Sequence, residues 1–281
     1  MGVAATRSAS LLVLTLILTG GCVETLEKQF IFFPYKTIEE TPRDWGLAYE
    51  DVYFTTEDGV KLNGWWVPGK GSPVTLLWFH GNAGNISHRV DTLKDRHDRL
   101  GVNIFIFDYR EYGRSEGKVS EEGTYRDGTA AIKYLRGRPG LDPAKIVLFG
   151  ESLGGAVAVE MAIRYDCAAL IMESPFLSIA EMAKVSFPFL PVGPLLRTKY
   201  NTLSKIGKVK APILIVHGEQ DEIVPFRHGR RLFEAAPEPK EFFPIRGAHH
   251  NDISVVGGTA YLDKLSQFLG RVSRDVPSRR G

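Results

Sequence analysis

The chain contains, at residues 145–156, the sequence KIVLFGESLGGA. The first five of these residues form a short, mostly apolar run, which is typical of a strand that is buried on both faces of a sheet. A Gly-x-Ser-x-Gly pattern follows directly, and a helical segment begins at Leu153. A serine in this pattern is an exposed nucleophile when a strand leads into it and a helix leads away from it. The local sequence therefore predicts that Ser152 is a nucleophile at the carboxyl end of a central strand.

The glycines around Ser152 have a steric interpretation. Side chains two residues before and two residues after the serine would collide in so tight a turn, which explains Gly150 and Gly154. We expect Gly155 to let the following helix pack closely on the sheet. At the first position of that helix, the backbone amide of Leu153 would point at a developing oxyanion. The simpler alternative is a strand that ends in a serine helix cap without a catalytic role.

Outside this stretch, short apolar runs alternate with segments of helical periodicity. The first two runs are separated by Glu57-Asp58-Gly59, which predicts a hairpin. The predicted strands occupy residues 49–55, 61–68, 74–79, 102–107, 145–149, 168–172, 213–216 and 241–245. The predicted helices occupy residues 87–100, 121–135, 153–165, 226–235 and 259–269. This alternation predicts an α/β fold with a mostly parallel central sheet flanked by helices, in one domain at 49–270 after a linker and lead-in strand at 22–48.

One connection is too long for a simple crossover helix. Residues 174–210 separate two predicted strands, and long connections of this kind are often functional. We expect a small cap that begins with a helix at 179–187 and lies over Ser152. Apolar residues of the cap could line a pocket for an acyl chain, or could instead pack the cap on the core. They are Phe176, Leu177, Phe187, Phe189, Leu190, Leu195 and Leu196.

A serine hydroxyl needs a base to activate it, and the base needs an orienting acid. In a parallel α/β sheet, both should come from loops at the carboxyl ends of later strands. The loop after the strand at 213–216 contains Asp221, and the loop after the last predicted strand contains His249 and His250. The chain thus has the order serine, acid, histidine.

Three further polar residues end predicted strands and compete for roles in such a site. Glu173 follows the strand at 168–172 and is a rival acid. His80 and His217 each precede a glycine at a strand end, and we interpret both as residues that make structural hydrogen bonds.

Five motifs stand in the order of a known family. They are the turn HGNAGN at 80–85, the loop at 108–117, the Gly-x-Ser-x-Gly turn, the Asp221 loop and the loop with two histidines. Over residues 30–269 the chain resembles the α/β-hydrolase superfamily of serine hydrolases. The most similar group comprises small esterases, lysophospholipase-like proteins and protein depalmitoylase-like hydrolases that share a Gly-Asn-Ala-Gly-Asn oxyanion turn. Glu111 departs from the family, which commonly has glycine at that position.

The resemblance implies a role for individual residues. Asp221 corresponds to the triad acid, because it begins the Asp-Glu-x-Val-Pro run of the family. His250 corresponds to the base, because it precedes Asn-Asp. His249 is an alternative base, since the family usually has a small residue there. The backbone amide of Asn82 corresponds to the second oxyanion donor, beside that of Leu153.

The first 21 residues have the features of a secretory signal peptide. Arg7 precedes an apolar run at 11–18, which is too short to span a bilayer as a helix. Thr19-Gly20-Gly21-Cys22 resembles the lipobox of bacterial lipoproteins, in which the cysteine is acylated, although the family usually has Leu where Thr19 stands. The resemblance implies a lipoprotein of the bacterial cell envelope, and Val23 favours the outer membrane facing the periplasm over the inner membrane. The alternative is an ordinary secretory peptide that is cut nearby.

Composition and charge exclude several classes of protein. The 281 residues are 43% hydrophobic and 24% charged, which excludes a disordered or fibrous chain. The net charge is +2, and Arg7 with a basic tail at 271–281 supplies all of it, so we expect no nucleic-acid partner. The two cysteines, Cys22 and Cys167, are too few for a disulfide scaffold. The sequence has no zinc spacing and no dinucleotide-binding glycine pattern, so we expect neither a metal nor a cofactor.

These features predict a membrane-anchored serine hydrolase that cleaves ester or thioester bonds of a hydrophobic acyl substrate through an acyl-enzyme. A peptidase or amidase on the same fold is one alternative, because amide cleavage uses the same triad. A surface lipoprotein that keeps the fold as a non-catalytic binding module is another, since the fold does not fix the function. The sequence leaves the oligomeric state open.

Overall fold

A computed structural model describes residues 31–187, 189 and 196–275 of the chain. The predicted signal peptide at 1–21 and Cys22 lie outside the described residues. The same holds for Leu190 and Leu195 of the predicted cap.

Within the described residues, the main sheet contains eight strands. The strands of this sheet are β2 (Glu50–Thr55), β3 (Lys61–Val67), β4 (Thr75–Phe79), β6 (Asn103–Phe107), β7 (Ile146–Glu151), β8 (Ala169–Glu173), β9 (Ile213–Gly218) and β10 (Lys240–Ile245). Two further strands, β1 (Phe33–Pro34) and β5 (Ala83–Gly84), form a separate pair. The spatial order in the main sheet is β10-β9-β8-β7-β4-β6-β3-β2. β3 runs antiparallel to both of its neighbours, and every other pairing is parallel. The sheet is therefore mostly parallel, as predicted.

Helices cover both faces of this sheet. They are α1 (Val90–Leu100), α2 (Glu121–Arg136), α3 (Leu153–Arg164), α4 (Ile179–Ser186), α5 (Thr202–Ile206), α6 (Arg227–Ala235) and α7 (Ile253–Asp275). Alternate residues of β4 enter opposite cores: Leu77 and Phe79 pack on the side of α2 and α3, whereas Leu76 and Trp78 pack on the side of α1 and α7. Because both faces of the sheet are buried, the sequences of the central strands are almost entirely apolar.

The last helix, α7, extends beyond the predicted helix at 259–269 in both directions. It begins at Ile253 and bends at Gly258, whose φ is 49°. It continues to Asp275, so the first five residues of the predicted basic tail are helical. The physical reason is packing, because Val272 is buried beside Phe268 and continues the apolar stripe of the helix by one turn.

A pair of two-residue strands, β1 and β5, joins the start of the described chain to the turn at 80–85. The Asn85 side-chain amide strengthens this junction by donating to the backbone carbonyls of Tyr35 and Thr37 at 2.9 and 2.6 Å. Strands of two residues carry no detectable periodicity, so the sequence patterns did not predict this contact.

The long connection at 174–210 is fixed to the domain at both of its ends. Phe176 and Leu177 are buried in the core, so the packing interpretation is correct for these two residues and the acyl-pocket interpretation is wrong. Near the other end, the Glu121 carboxylate of α2 accepts the backbone amides of Lys199 and Tyr200 at 2.6 and 2.9 Å.

The middle of this connection presents apolar surface to solvent. The predicted helix is present as α4, and Phe187 follows it with 44% of its surface exposed. Phe189 is 95% exposed. These two residues are therefore free to contact an apolar ligand, unlike Phe176 and Leu177.

The start of α3 lies very close to β4 and β7. A Cβ added to Gly154 would lie 2.0 Å from the carbonyl oxygen of Phe79, and one added to Gly150 would lie 2.5 Å from the carbonyl oxygen of Gly154. Both positions therefore require glycine, as predicted. The expectation for Gly155 is wrong, because a Cβ there would meet its nearest atoms at 3.6 Å, an ordinary van der Waals contact.

Gly154→Ala should prevent the native packing of α3, whereas Gly155→Ala should be tolerated. The methyl group of the first variant overlaps a backbone carbonyl of a central strand, and such overpacking costs about 3 kcal/mol or more. The methyl group of the second has room in a helical position, so we expect a change within about 1 kcal/mol. Urea unfolding of both variants measures the difference, and equal stabilities would contradict the packing described here.

Candidate active site

Ser152 occupies a strained turn between β7 and α3. Its backbone φ is 49° and its ψ is −113°, a conformation that residues with a Cβ rarely adopt. Its N–H donates to the carbonyl oxygen of Glu173 at 2.9 Å, which fixes the turn to the neighbouring strand β8. The side chain is partly exposed, and its hydroxyl has no hydrogen-bond partner among the described residues. This is the geometry of an exposed nucleophile on a strand-to-helix turn.

The turn at 80–85 lies against this serine. A Cβ built on Gly81 would be 3.9 Å from the Cβ of Ser152. The next residue, Asn82, has its side-chain oxygen engaged by the Tyr112 hydroxyl at 3.0 Å and by the Phe33 amide at 3.4 Å. The Asn82 side chain is thus held by two residues that lie outside the turn in the chain.

Two backbone amides next to Ser152 are candidates for binding an oxyanion. Leu153 is the first residue of α3, and the first amides of a helix have no partner within the helix. Asn82 contributes the other amide from the adjoining turn. The structure thus places Leu153 directly after the nucleophile and Asn82 in the turn that adjoins it.

Asp221 and His250 lie in contact, although 29 residues separate them in the chain. His250 Nδ1 is 2.8 Å from Asp221 Oδ2. The other oxygen, Oδ1, accepts the backbone amides of Ile223 and Val224 at 3.0 and 2.7 Å. Burial by itself would raise the pKa of Asp221, but hydrogen bonds from His217 and His250 outweigh it and hold the pKa below its usual range. The acid is therefore ionised at neutral pH.

His249, the alternative base, points elsewhere. Its Nδ1 lies 2.9 Å from Glu222 Oε2, and both side chains are more than half exposed. The structure therefore brings His250, and not His249, to Asp221.

Glu173, the rival acid, belongs to a separate buried cluster. Both of its carboxylate oxygens lie 2.9 Å from Nη2 of Arg96, and the Tyr261 hydroxyl donates to one of them. Arg96 Nη1 also lies 3.3 Å from Glu151, the residue before the serine. With its carboxylate engaged in this way, Glu173 supports the strand ends beside Ser152 and is not the partner of His250.

Arg96 was missed by the sequence patterns. Its side chain is almost fully buried, and its guanidinium lies 4.1 Å from the ring centre of Trp78 and 4.3 Å from that of Phe149. The available signal was its position in α1, three residues after Leu93, where helical periodicity predicts an apolar residue.

His80 and Asp108 form another buried pair, behind the turn at 80–85. His80 Nδ1 donates to the Gly81 carbonyl at 2.7 Å, and its Nε2 is 3.5 Å from Asp108 Oδ1. Burial lowers the pKa of His80 to about 3 and raises that of Asp108 to about 7. His80 is thus a neutral structural residue, in line with its predicted role.

The departure from the family at Glu111 has a conformational explanation. Its φ is 73°, in the left-handed region where glycine is favoured. Its carboxylate accepts the Val119 amide at 2.8 Å and pairs with Lys118 at 2.6 Å. The Glu111 carboxylate therefore stabilises the loop at 108–117 through contacts with the residues that follow it, although the backbone of Glu111 is in an unfavourable conformation.

The described part of the chain has neither a metal-binding cluster nor a membrane-spanning helix. No group of three or more His, Cys, Asp or Glu side chains there is arranged to hold a metal ion. None of the helices within those residues combines the length and the apolarity that a membrane crossing requires.

The chain is similar to several known proteins. The chain is 36% identical over 255 residues to the α/β-hydrolase domain-containing protein WAV2 of Arabidopsis thaliana, covering 83% of this chain and 82% of that protein. The chain belongs to the α/β-hydrolase family. It also matches a family model described as serine aminopeptidase, S33, over residues 73–195. An uncharacterised protein of Mycobacterium tuberculosis is 40% identical over 245 residues, which are 86% of this chain and 87% of that protein.

A solved structure is also similar to this chain. An esterase of Pyrococcus furiosus has a TM-score of 0.73 at 25% identity, covering 85% of this chain and 98% of that one. The predicted fold class is therefore confirmed, and membership of the family supports hydrolase activity.

His250→Ala should abolish hydrolysis, whereas His249→Ala should leave it within about threefold of wild type. Only His250 is held by a buried carboxylate, and loss of a triad histidine lowers kcat/KM by about a thousandfold or more. Hydrolysis of a p-nitrophenyl ester by the two variants measures the difference. A larger loss in His249→Ala would contradict the assignment of the base.

Proposed function

We propose that this protein is a serine hydrolase that cleaves carboxylic ester or thioester bonds of a hydrophobic acyl substrate. The observation that carries the proposal is the 2.8 Å contact between His250 and Asp221, on the same sheet edge as the strained turn of Ser152. A nucleophile, a base and an orienting acid are the minimum set for acyl transfer. Family membership supports the hydrolase class.

The tautomer of His250 follows from its partner. The Asp221 carboxylate is ionised and only accepts hydrogen bonds, so Nδ1 of His250 carries the proton. Nε2 therefore has a free lone pair and faces away from Asp221. In the proposed mechanism it removes the proton from the Ser152 hydroxyl.

The reaction then runs in two halves. Ser152 Oγ attacks the carbonyl carbon, and the amides of Leu153 and Asn82 bind the resulting oxyanion. His250 gives its new proton to the leaving alcohol or thiol as the acyl-enzyme forms. Water next loses a proton to His250 and attacks the acyl-enzyme, after which His250 returns a proton to Ser152 and the carboxylic acid leaves.

Apolar surface supports an acyl substrate. Phe187, Ile223 and Val255 are exposed, and each belongs to a segment that follows the carboxyl end of a strand of the main sheet. In α/β folds, ligands bind at this end of the strands. We propose that these side chains contact the acyl chain of the substrate.

A peptidase or amidase is the second candidate, because the matching family model carries the description serine aminopeptidase. The similar Pyrococcus furiosus structure, described as an esterase, favours ester cleavage. Both reactions use the same residues, so substrate assays separate them. A non-catalytic binding module remains the rival outside enzymes.

A fluorophosphonate probe tests the nucleophile. We expect it to label the wild-type protein and Ser174→Ala but not Ser152→Ala. Ser174 is a matched control, because it also ends a strand and has a positive φ, 44° compared with 49° for Ser152. Persistent labelling of Ser152→Ala would overturn the proposal.

The same proteins should be assayed with p-nitrophenyl esters of short and medium chains, an acyl thioester and an aminoacyl p-nitroanilide. We expect Ser152→Ala to lose at least about a thousandfold in kcat/KM for the esters. Faster turnover of the anilide than of every ester and thioester would favour the peptidase alternative. A wild type that turns over no substrate and takes no label would favour the binding module.

We further propose that an acyl group on Cys22 anchors the protein to the outer membrane of a bacterial cell envelope, facing the periplasm. The lipobox-like sequence 19–22 and the preceding apolar run support this proposal. In the full-length chain, Cys22→Ser should abolish incorporation of an alkynyl fatty acid and release the protein from sedimenting membranes, while Cys167→Ser should do neither. Retention of the label by Cys22→Ser would contradict the anchor.

A further inference from the structure

We propose that His217 is a positioning residue that holds the Asp221 carboxylate in line with His250. This inference rests on the proposed function, because it assigns Asp221 the role of the triad acid. His217 Nε2 lies 3.2 Å from Asp221 Oδ2 and 2.9 Å from the carbonyl oxygen of Val224. Two histidines therefore contact the same carboxylate oxygen.

The direction of these hydrogen bonds is fixed by chemistry. A backbone carbonyl and an ionised carboxylate both only accept, so His217 Nε2 carries a proton. Its N–H donates to the Val224 carbonyl and lies beside Asp221 Oδ2, with 3.2 Å between the nitrogen and that oxygen. His250 donates to the same Oδ2 through Nδ1. The carboxylate oxygens of Asp221 thus accept from the His250 N–H and two backbone amides, and the His217 N–H contacts Oδ2 as a further polar neighbour. A carboxylate held from both oxygens cannot rotate freely about its Cβ–Cγ bond.

The imidazole ring of His217 is itself immobile. It is fully buried, and the Phe226 ring meets it edge-on at 5.7 Å between centroids. Helix α6 passes so close that a Cβ on Gly229 would lie 2.4 Å from His217 Nδ1. The ring is therefore enclosed between the Asp221 loop and α6, with Nε2 directed at the acid.

One feature of this packing argues against a purely structural role. His217 Nδ1 is buried and has no hydrogen-bond partner among the described residues. An unpartnered buried acceptor costs free energy that an apolar side chain in the same space would avoid. Packing alone therefore does not explain a histidine at this position, whereas the contact of Nε2 with the Asp221 carboxylate does.

Loss of the His217 contact should affect the transition state more than it affects substrate binding. As His250 takes the proton from Ser152, its imidazolium needs the Asp221 oxygen directly opposite Nδ1. Without the His217 N–H, two backbone amides still hold Oδ1, but among the described residues His250 itself is the one group left to hold Oδ2. No independent contact then keeps this oxygen opposite Nδ1, and the imidazole loses part of its alignment. We therefore expect kcat to fall while KM stays nearly constant.

Three substitutions of His217 separate the positioning role from packing. His217→Gln keeps an N–H at the distance of Nε2, His217→Asn places its N–H too close to the backbone to reach Asp221, and His217→Leu has no donor. We expect Leu and Asn to lower kcat about 10- to 100-fold with KM within about twofold. Gln should restore kcat to within about threefold of wild type.

The three variants should be compared after titration of active sites with the fluorophosphonate probe and measurement of Tm. The Asn and Gln variants keep the comparison valid even if the Leu variant fails to fold. Wild-type kcat in His217→Asn, or equal losses in the Asn and Gln variants, would overturn the positioning role.

An Asp221→Asn background completes the test. If His217 acts through the acid, the change from His217 to Asn should alter kcat less than about twofold there, because no triad carboxylate remains to be positioned. The same loss in both backgrounds would overturn the inference. Wild-type activity of Asp221→Asn or Ser152→Ala would instead overturn the proposed function, so the two failures are distinguishable.

Discussion

The geometry of the site depends on one backbone contact, in which the start of α3 meets the end of β4 so closely that no Cβ fits at Gly154. Phe79 of β4 is paired with Gly150 of β7. One partner leads into the turn at 80–85, and the other leads into Ser152. The same pairing therefore fixes the nucleophile and both candidate oxyanion donors relative to one another, before any side chain contributes.

Buried charges then hold the strand ends in place. Glu151 and Glu173 are paired across β7 and β8, and Arg96 contacts both carboxylates from α1. Replacing a buried ion pair with apolar residues often leaves stability unchanged or increases it, so such a cluster is weak evidence for stability. The cluster instead fixes the position of the nucleophile. Arg96 contacts the side chain of Glu173, and the backbone carbonyl of the same residue accepts the Ser152 amide.

The sequence predicted the features that depend on neighbouring residues in the chain. It did not predict the features that depend on contacts with residues far away in the chain. Apolar runs and helical periodicity identified the strands of the main sheet and most helices, and the Gly-x-Ser-x-Gly pattern identified the turn. The family resemblance favoured His250 as the base and left His249 as an alternative, because adjacent residues differ in the direction of their side chains, which local patterns do not record. The burial of Arg96 and the space beside Gly155 are set by segments that are distant in the chain, and no local sequence pattern contains that information.

The two histidines on Asp221 differ in access, and this difference decides which can serve as the base. His217 Nε2 donates to the Val224 carbonyl and contacts Asp221, and its Nδ1 is enclosed against α6 beside Gly229, so neither nitrogen can reach a substrate. His250 meets the acid through Nδ1 and is partly exposed, which leaves Nε2 on the side away from the acid. A single carboxylate can therefore orient one imidazole for proton transfer while another imidazole holds the carboxylate. That division of labour requires burial of one histidine and exposure of the other.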